Sequence, residues 1–172
     1  MNKYERVRTL SKTGRYGEVY SVRNKQTNEY FIAQEFNRRG LEVARRECGF
    51  LDELSGSGHV IKKVEEIQNS GERLAVTVVY EALAATSLRR FLDANPEQPL
   101  PLRAVKSITY QILKGLADAH SLGIFHRDIR PSKIAVAVAD DGSLIIKIVW
   151  ISGTPEGWVH RNPSLRLETS KR

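Results

Sequence analysis

Between residues 4 and 36 apolar and polar positions alternate in short runs, broken first by T-G-R-Y-G and then by N-K-Q-T-N around Lys25. Period-two alternation interrupted by turn-forming residues predicts three antiparallel strands. At Leu41 the period changes: Leu41, Ala44, Cys48, Leu51 and Leu54 recur near helical spacing and stop at S-G-S-G, which predicts a helix over 41–54. His59 to Ile67 and Arg73 to Tyr80 return to strand patterning around the turn N-S-G-E, and L-A-V-T-V-V-Y is apolar enough for a strand buried on both faces. The expectation so far is an α+β arrangement, a five-stranded antiparallel sheet carrying one main helix.

Ser87 to Ala94 predicts a short helix, and P-E-Q-P-L-P a loop. Leu102 to Leu122 predicts a long helix whose Val105, Ile108, Ile112, Leu113, Leu116 and Ala119 cover more than one face, so burial on several sides is expected. Two short apolar runs follow, I-A-V-A-V and L-I-I-K-I-V-W-I, joined by the turn A-D-D-G-S, and N-P-S-L-R-L-E-T-S-K-R reads as a frayed polar tail. There is no internal repeat and no low-complexity segment.

Composition narrows the classes. The 172 residues are 41% hydrophobic and 27% charged, which is that of a folded globular chain. No apolar run approaches the roughly 18 residues that span a bilayer, and M-N-K-Y-E-R-V-R lacks the apolar centre of a secretory signal, so an intracellular protein, cytoplasmic or nuclear, without a membrane partner is expected. The single cysteine, Cys48, is read as a small buried apolar residue. The net charge of +7 invites a nucleic-acid reading, but the basic residues are spread along the chain among glutamates, without aromatic interleaving. A solvated surface is the expectation, with no nucleic-acid partner.

Candidate chemistry sits in F-H-R-D-I-R-P-S-K-I-A-V, where His126, Arg127 and Asp128 adjoin and Lys133 follows. Together with T-L-S-K-T-G-R-Y-G-E-V-Y, V-V-Y-E-A-L and S-I-T-Y-Q-I-L-K-G-L-A-D-A-H, in that order, it resembles a eukaryotic protein kinase domain over residues 4 to about 152, with a flavour similar to the cyclin-dependent and mitogen-activated branch. The resemblance implies a small lobe with hinge over 1–83, a partial, incomplete helical large lobe with a catalytic-loop remnant over 84–152, and a polar basic tail over 153–172. It also implies a nucleotide cleft formed by Gly14, Gly17, Val19, Ala33, Glu81 and Leu83, with Tyr16 at the tip of the glycine-rich turn. Asp128 matches the residue that orients a substrate hydroxyl, and Arg130 stands in for a lysine near the γ-phosphate.

Four motifs depart from the family pattern. Lys12 replaces the first glycine, and Glu35 of I-A-Q-E falls where the phosphate-pairing lysine is expected. Either Glu35 faces Glu47, the match to the helix glutamate, or it turns outward while Glu47 pairs with Arg45 or Arg46. Lys133 replaces a metal-binding asparagine, and an ammonium has no lone pair to offer a metal. Trp150, Ile151 and Ser152 replace the metal-binding D-F-G, and the resemblance leads to the expectation of a truncated domain without the activation segment and later helices of a complete kinase. The resemblance therefore implies a truncated, degenerate pseudokinase that binds a protein partner (a kinase, an activator or a kinase substrate) or itself, with no metal and at most weak ATP binding without Mg²⁺. The alternative is a weak or unconventional serine/threonine kinase using Lys12, Asp128 and Arg130.

Overall fold

The computed structural model describes residues 3–13, 16–69, 76–82, 85–94, 96, 97 and 99–150. Gly14, Leu83, Ile151, Ser152 and the expected tail lie outside the described residues. Strands β1 (Tyr4–Thr13), β2 (Gly17–Asn24), β3 (Tyr30–Phe36), β4 (Lys63–Gln68) and β5 (Val76–Glu81) form one antiparallel sheet in the order β1-β2-β3-β5-β4, with helix α1 (Leu41–Glu53) between β3 and β4. This is the five-stranded, one-helix arrangement expected from the pattern. A 3₁₀ turn leads into α1, and the Asn37 side chain caps it by accepting a hydrogen bond from the Gly40 N–H at 3.1 Å.

Register divides the sheet into two faces. Val19, Ile32, Phe36, Val76, Val78 and Tyr80 join the main core with Ala44, Cys48 and Leu51 of α1, and Gln34, paired with Val19 and Val78, shares their side. Tyr4, Tyr20, Val22, Ala33 and Val79 form a second, smaller cluster on the other face. The sheet curls enough for its two edge strands to meet there: the Tyr4 hydroxyl donates to Glu65 of β4, and Lys3 pairs with the same carboxylate at 2.8 Å.

The second half is built from β6 (Ala85–Ser87), α2 (Leu88–Asp93), α3 (Leu102–Ser121), β7 (Ile134–Val138) and β8 (Leu144–Ile148), with β6-β7-β8 as a three-stranded sheet. Ser87 caps α2 by accepting from the Arg90 N–H. β6 has only three residues, too few to leave a periodic signature. Gln111 of α3 latches onto β8, donating to the Leu144 carbonyl at 2.8 Å and accepting from the Ile146 N–H at 3.0 Å.

The halves are joined through β8. Val60 pairs in parallel with Ile148, whose N–H donates to the His59 carbonyl at 2.8 Å and whose carbonyl accepts from the Ile61 N–H at 2.9 Å. The expected strand from His59 is corrected on this account: His59 to Ile61 are committed to β8, and pairing with β5 begins at Lys63. Gly115 permits the approach of α3, because a Cβ there would lie 2.9 Å from the His59 carbonyl oxygen. The expected burial of α3 on several sides is also corrected. Ile108, Gly115 and Ala119 are buried, whereas Leu102, Val105, Tyr110 and Leu113 are exposed.

Candidate functional site

The loop after α3 is anchored by buried Ile124 and then shaped by His126. Its Nε2 lies 3.0 Å from the Val149 carbonyl, and its Nδ1 is 3.2 Å from the Asp128 N–H, which donates to it. A ring nitrogen that accepts from an N–H carries no proton, so Nε2 is the donor and the imidazole is neutral. Burial, the main cause, lowers its pKa further below the ordinary value. The Val149 N–H in turn donates to the Lys133 carbonyl at 2.8 Å. Both backbone groups of Val149 are thus held by the loop, and the Trp150 ring, next in the chain, lies 4.5 Å from the imidazole. Arg127 has φ of +64°, a left-handed conformation that costs a non-glycine residue about 1 kcal/mol.

Past the turn, Arg130 Nε pairs with Asp128 Oδ1 at 3.2 Å, both half-exposed. Such a pair orients the carboxylate and adds little stability. A 3₁₀ turn at Pro131–Lys133 then carries Ser132 and Lys133 inward, leaving Lys133 only 3% exposed. A cleft of about 530 Å³ lies between α1 and this loop. Val43, Glu47 and Phe50 line it from α1, Tyr16 from the start of β2, and His126, Asp128, Lys133 and Trp150 from the other side. Burial pushes the Lys133 ammonium down to about 8, while the Asp128 and Glu47 carboxylates pull it back up and Arg130 opposes them.

A divalent cation does not fit this arrangement. The position expected to supply an amide oxygen holds a buried ammonium, the position expected to supply a carboxylate holds the buried apolar body of Trp150, and hard cations need oxygen ligands. Among the described residues no group of three or more His, Cys, Asp or Glu side chains is placed to hold a metal.

The sequence-selected residues divide. Asp128, Arg130, Lys133, Trp150, Glu47 and Tyr16 come together in the cleft, whereas Val19, Ala33 and Glu81 do not line it. Ala33 is a correction: it belongs to the cluster on the face away from α1. Glu35 lies on that same face, opposite Glu18 and Thr77, so it turns outward and does not face Glu47, while Arg45, one of the partners expected for Glu47, pairs with Glu42 at 2.7 Å. Its charge is felt instead by Tyr20, which burial first and Glu35 second push up to about 12. Val19 is fully buried beneath the sheet. Lys12 sits in β1 opposite Glu18. Glu81, expected at a hinge, accepts from Lys147 Nζ at 2.5 Å and from the Lys62 N–H at 2.8 Å, so its carboxylate ties the two halves together. Gly17 is required by the fold itself, since φ is +136° and a Cβ would meet the Glu35 carbonyl oxygen at 1.6 Å.

Sequence reasoning missed Gln34, which takes the α1-facing place assigned to Glu35. In F-I-A-Q-E-F apolar residues stand at both phases, so alternation alone could not choose; pairing with the V-V-Y run of β5 would have helped. Phe50 and Lys147 were missed too, because each acts through a partner far away in sequence.

The sequence profile of the protein kinase domain matches residues 4–149. Among curated proteins, cyclin-dependent kinase B2-1 of Oryza sativa subsp. japonica is 29% identical over 157 residues, covering 86% of this chain and 47% of that protein. Cell division control protein 2 homolog C of Antirrhinum majus is 32% identical over 148 residues, covering 78% of this chain and 47% of that protein. The chain spans about half the length of the curated relatives it matches.

Proposed function

Because this chain belongs to the protein kinase domain family, its departures from phosphate and metal chemistry decide its role, and we propose that it is a catalytically impaired member acting as a protein-binding or regulatory module. Phosphoryl transfer depends on positioning and on cations that neutralise developing charge. The observation that carries the reading is Lys133, a buried ammonium that lines the same cleft as Asp128, Glu47 and Trp150 and is held in its charged form by those two carboxylates against the effect of burial. The carboxylates that would attract a metal are already offset by a side chain of the protein.

The exposed Leu102, Val105, Tyr110 and Leu113 of α3 support a binding role, since apolar residues gathered on one exposed helix are the kind of surface that interfaces use. The partner is a protein, of the kinase, activator or kinase-substrate kind, or a second copy of the chain, and the setting is intracellular. No helix among the described residues is long and apolar enough to cross a membrane.

The test is unfolding temperature with ATP, with and without Mg²⁺, beside transfer of labelled phosphate in wild type and Asp128→Asn. No Mg²⁺-dependent shift and no incorporation above the variant are expected. Incorporation that disappears in Asp128→Asn would overturn the reading and favour the weak-kinase alternative, for which the intact Asp128–Arg130 pair is the specific support.

A further inference from the structure

Leu102 and Leu113 stand about three turns apart on one line along the exposed side of α3, with Val105 to one side of that line and Tyr110 to the other. The opposite side is committed to the fold: Ile108 is buried, Ile112 and Leu116 pack against the main core, and Gln111 holds β8. The charges on the exposed side have one sign. Lys106 and Lys114 lie one turn either side of Tyr110, and Arg103 lies one turn before Lys106, all three exposed. Asp118 is the only carboxylate of α3, and the fold already uses it: it accepts from the Ser57 hydroxyl at 2.6 Å and stands 3.7 Å from Lys114. Among the described residues Arg103 and Lys106 form no ion pair.

We infer that this face of α3 is a docking site for an acidic amphipathic helix of a partner protein. Its apolar anchors would seat among Leu102, Val105, Tyr110 and Leu113, and its carboxylates would meet Arg103, Lys106 and Lys114. The inference rests on the reading of the chain as a binding module and names the chemistry of the partner.

A docked helix presents anchors at i, i+3, i+4 and i+7, and Leu102 with Val105 and Tyr110 with Leu113 are themselves i, i+3 pairs. Charge chooses between occupants. A second copy laid on this face would set its own Arg103, Lys106 and Lys114 against the same three cations, with no carboxylate on the helix but Asp118. Like charges brought together at an interface select against that partner. An acidic helix supplies the missing counter-charge, and its pairs form at the wet edge of the apolar contact, where little desolvation is required.

The test uses the full chain and two fluorescein-labelled peptides of about 18 residues, each with leucine along one face and alanine opposite; one carries glutamate at the flanking positions, the other lysine. By fluorescence anisotropy the glutamate peptide is expected to bind about tenfold tighter, as three exposed pairs of opposite sign allow, and the difference should shrink at about 0.5 M NaCl. Arg103→Glu with Lys106→Glu should reverse the preference. Tyr110→Glu with Leu113→Glu should weaken the glutamate peptide by about tenfold or more, with circular dichroism unchanged in both variants. Equal affinity for the two peptides, no binding of either, or binding that survives Tyr110→Glu with Leu113→Glu would overturn the inference. A wild type that sediments as a dimer, which the glutamate peptide does not dissociate, would give the face to a second copy and overturn it too. Phosphate transfer is read separately, so a failure of the impaired-kinase reading is distinguishable from a failure of this one.

Discussion

Side chains alternate across a strand, so a shift of one residue in phase carries a group through the thickness of the sheet, and the neighbours Glu35 and Gln34 end on opposite faces for that reason. Glu35 stands opposite Glu18, and like charges directly opposed across strands are unfavourable. Glu35→Lys is therefore expected to stabilise the protein by about 0.2 to 1 kcal/mol in urea unfolding. The gain should be the same in a Glu47→Gln background, since Glu47 is on the far side; a strong coupling between the two substitutions would contradict the register. Lys133 gives a pH signature. In the fold it releases its proton near 8, and in the unfolded chain near 10.5. Between these values the unfolded chain binds the extra proton, so stability rises with pH, and below about 8 the full cost of the buried ammonium is present. Wild type should gain on Lys133→Met by on the order of 2 kcal/mol between pH 8 and 10 in paired denaturation curves. Cys48 and Tyr20, both pushed up to about 12 by burial, and Tyr80, also raised by burial, oppose this trend as they ionise in the unfolded chain from about 9 to 10 upward, but they do so equally in wild type and variant and cancel in the paired curves. Of the cleft residues legible in the sequence, His126 to Lys133 stand in one contiguous run where position is fixed by neighbours, and Tyr16, Glu47 and Trp150 were legible only through the motifs around them. Ala33 and Glu35 were misplaced because a strand's phase is set by partners that its own six or seven residues do not name.

At the scale of elements, α3 shows how a helix can be legible in extent and not in exposure. Its span was readable from the periodic apolar residues, but which of them would be covered depends on what packs alongside. One side meets β8, as the Gln111 latch shows, while Tyr110 and Leu113 stand 67% and 59% exposed and Ile108 only 5%. The double change Tyr110→Glu with Leu113→Glu should leave the unfolding free energy within about 0.5 kcal/mol, as surface changes usually do. Ile108→Glu places a carboxylate in the core and should cost several kcal/mol. If the protein self-associates through this helix, the double variant should sediment as a monomer while wild type does not. A double variant that unfolds as readily as Ile108→Glu would mean that Tyr110 and Leu113 are covered. The strands joined by recognisable turns were all legible, including β7 and β8 around A-D-D-G-S, where Asp141 accepts from the Ser143 N–H at 2.9 Å. The diversion of His59 to Ile61 was not, because their partner lies at the far end of the chain.

For the molecule as a whole, the +7 charge is largely a surface matter, with Arg6–Glu18, Arg23–Glu5 and Arg45–Glu42 paired near solvent. The pair that matters at this scale is Glu81–Lys147, mostly buried and tying the end of β5 to β8. Lys147→Met leaves the Glu81 carboxylate without its cation and should cost about 2 to 4 kcal/mol in chemical denaturation, with part recovered when Glu81→Gln is added. An unchanged midpoint in the single variant would show that the strut is idle. Beside it runs the Val60–Ile148 bridge, which joins positions about 90 residues apart. Closing a loop of that length costs about 4 kcal/mol in chain entropy, which local helix and hairpin formation cannot offset on their own account. The bridge is therefore a late event in folding, and the first half of the chain has no finished native state to occupy until β8 arrives. Loss of far-ultraviolet ellipticity and exposure of the buried Cys48 thiol should share a single rate constant on unfolding. A thiol that reacts well ahead of the ellipticity change would mean that α1 lifts away while β8 stays in place.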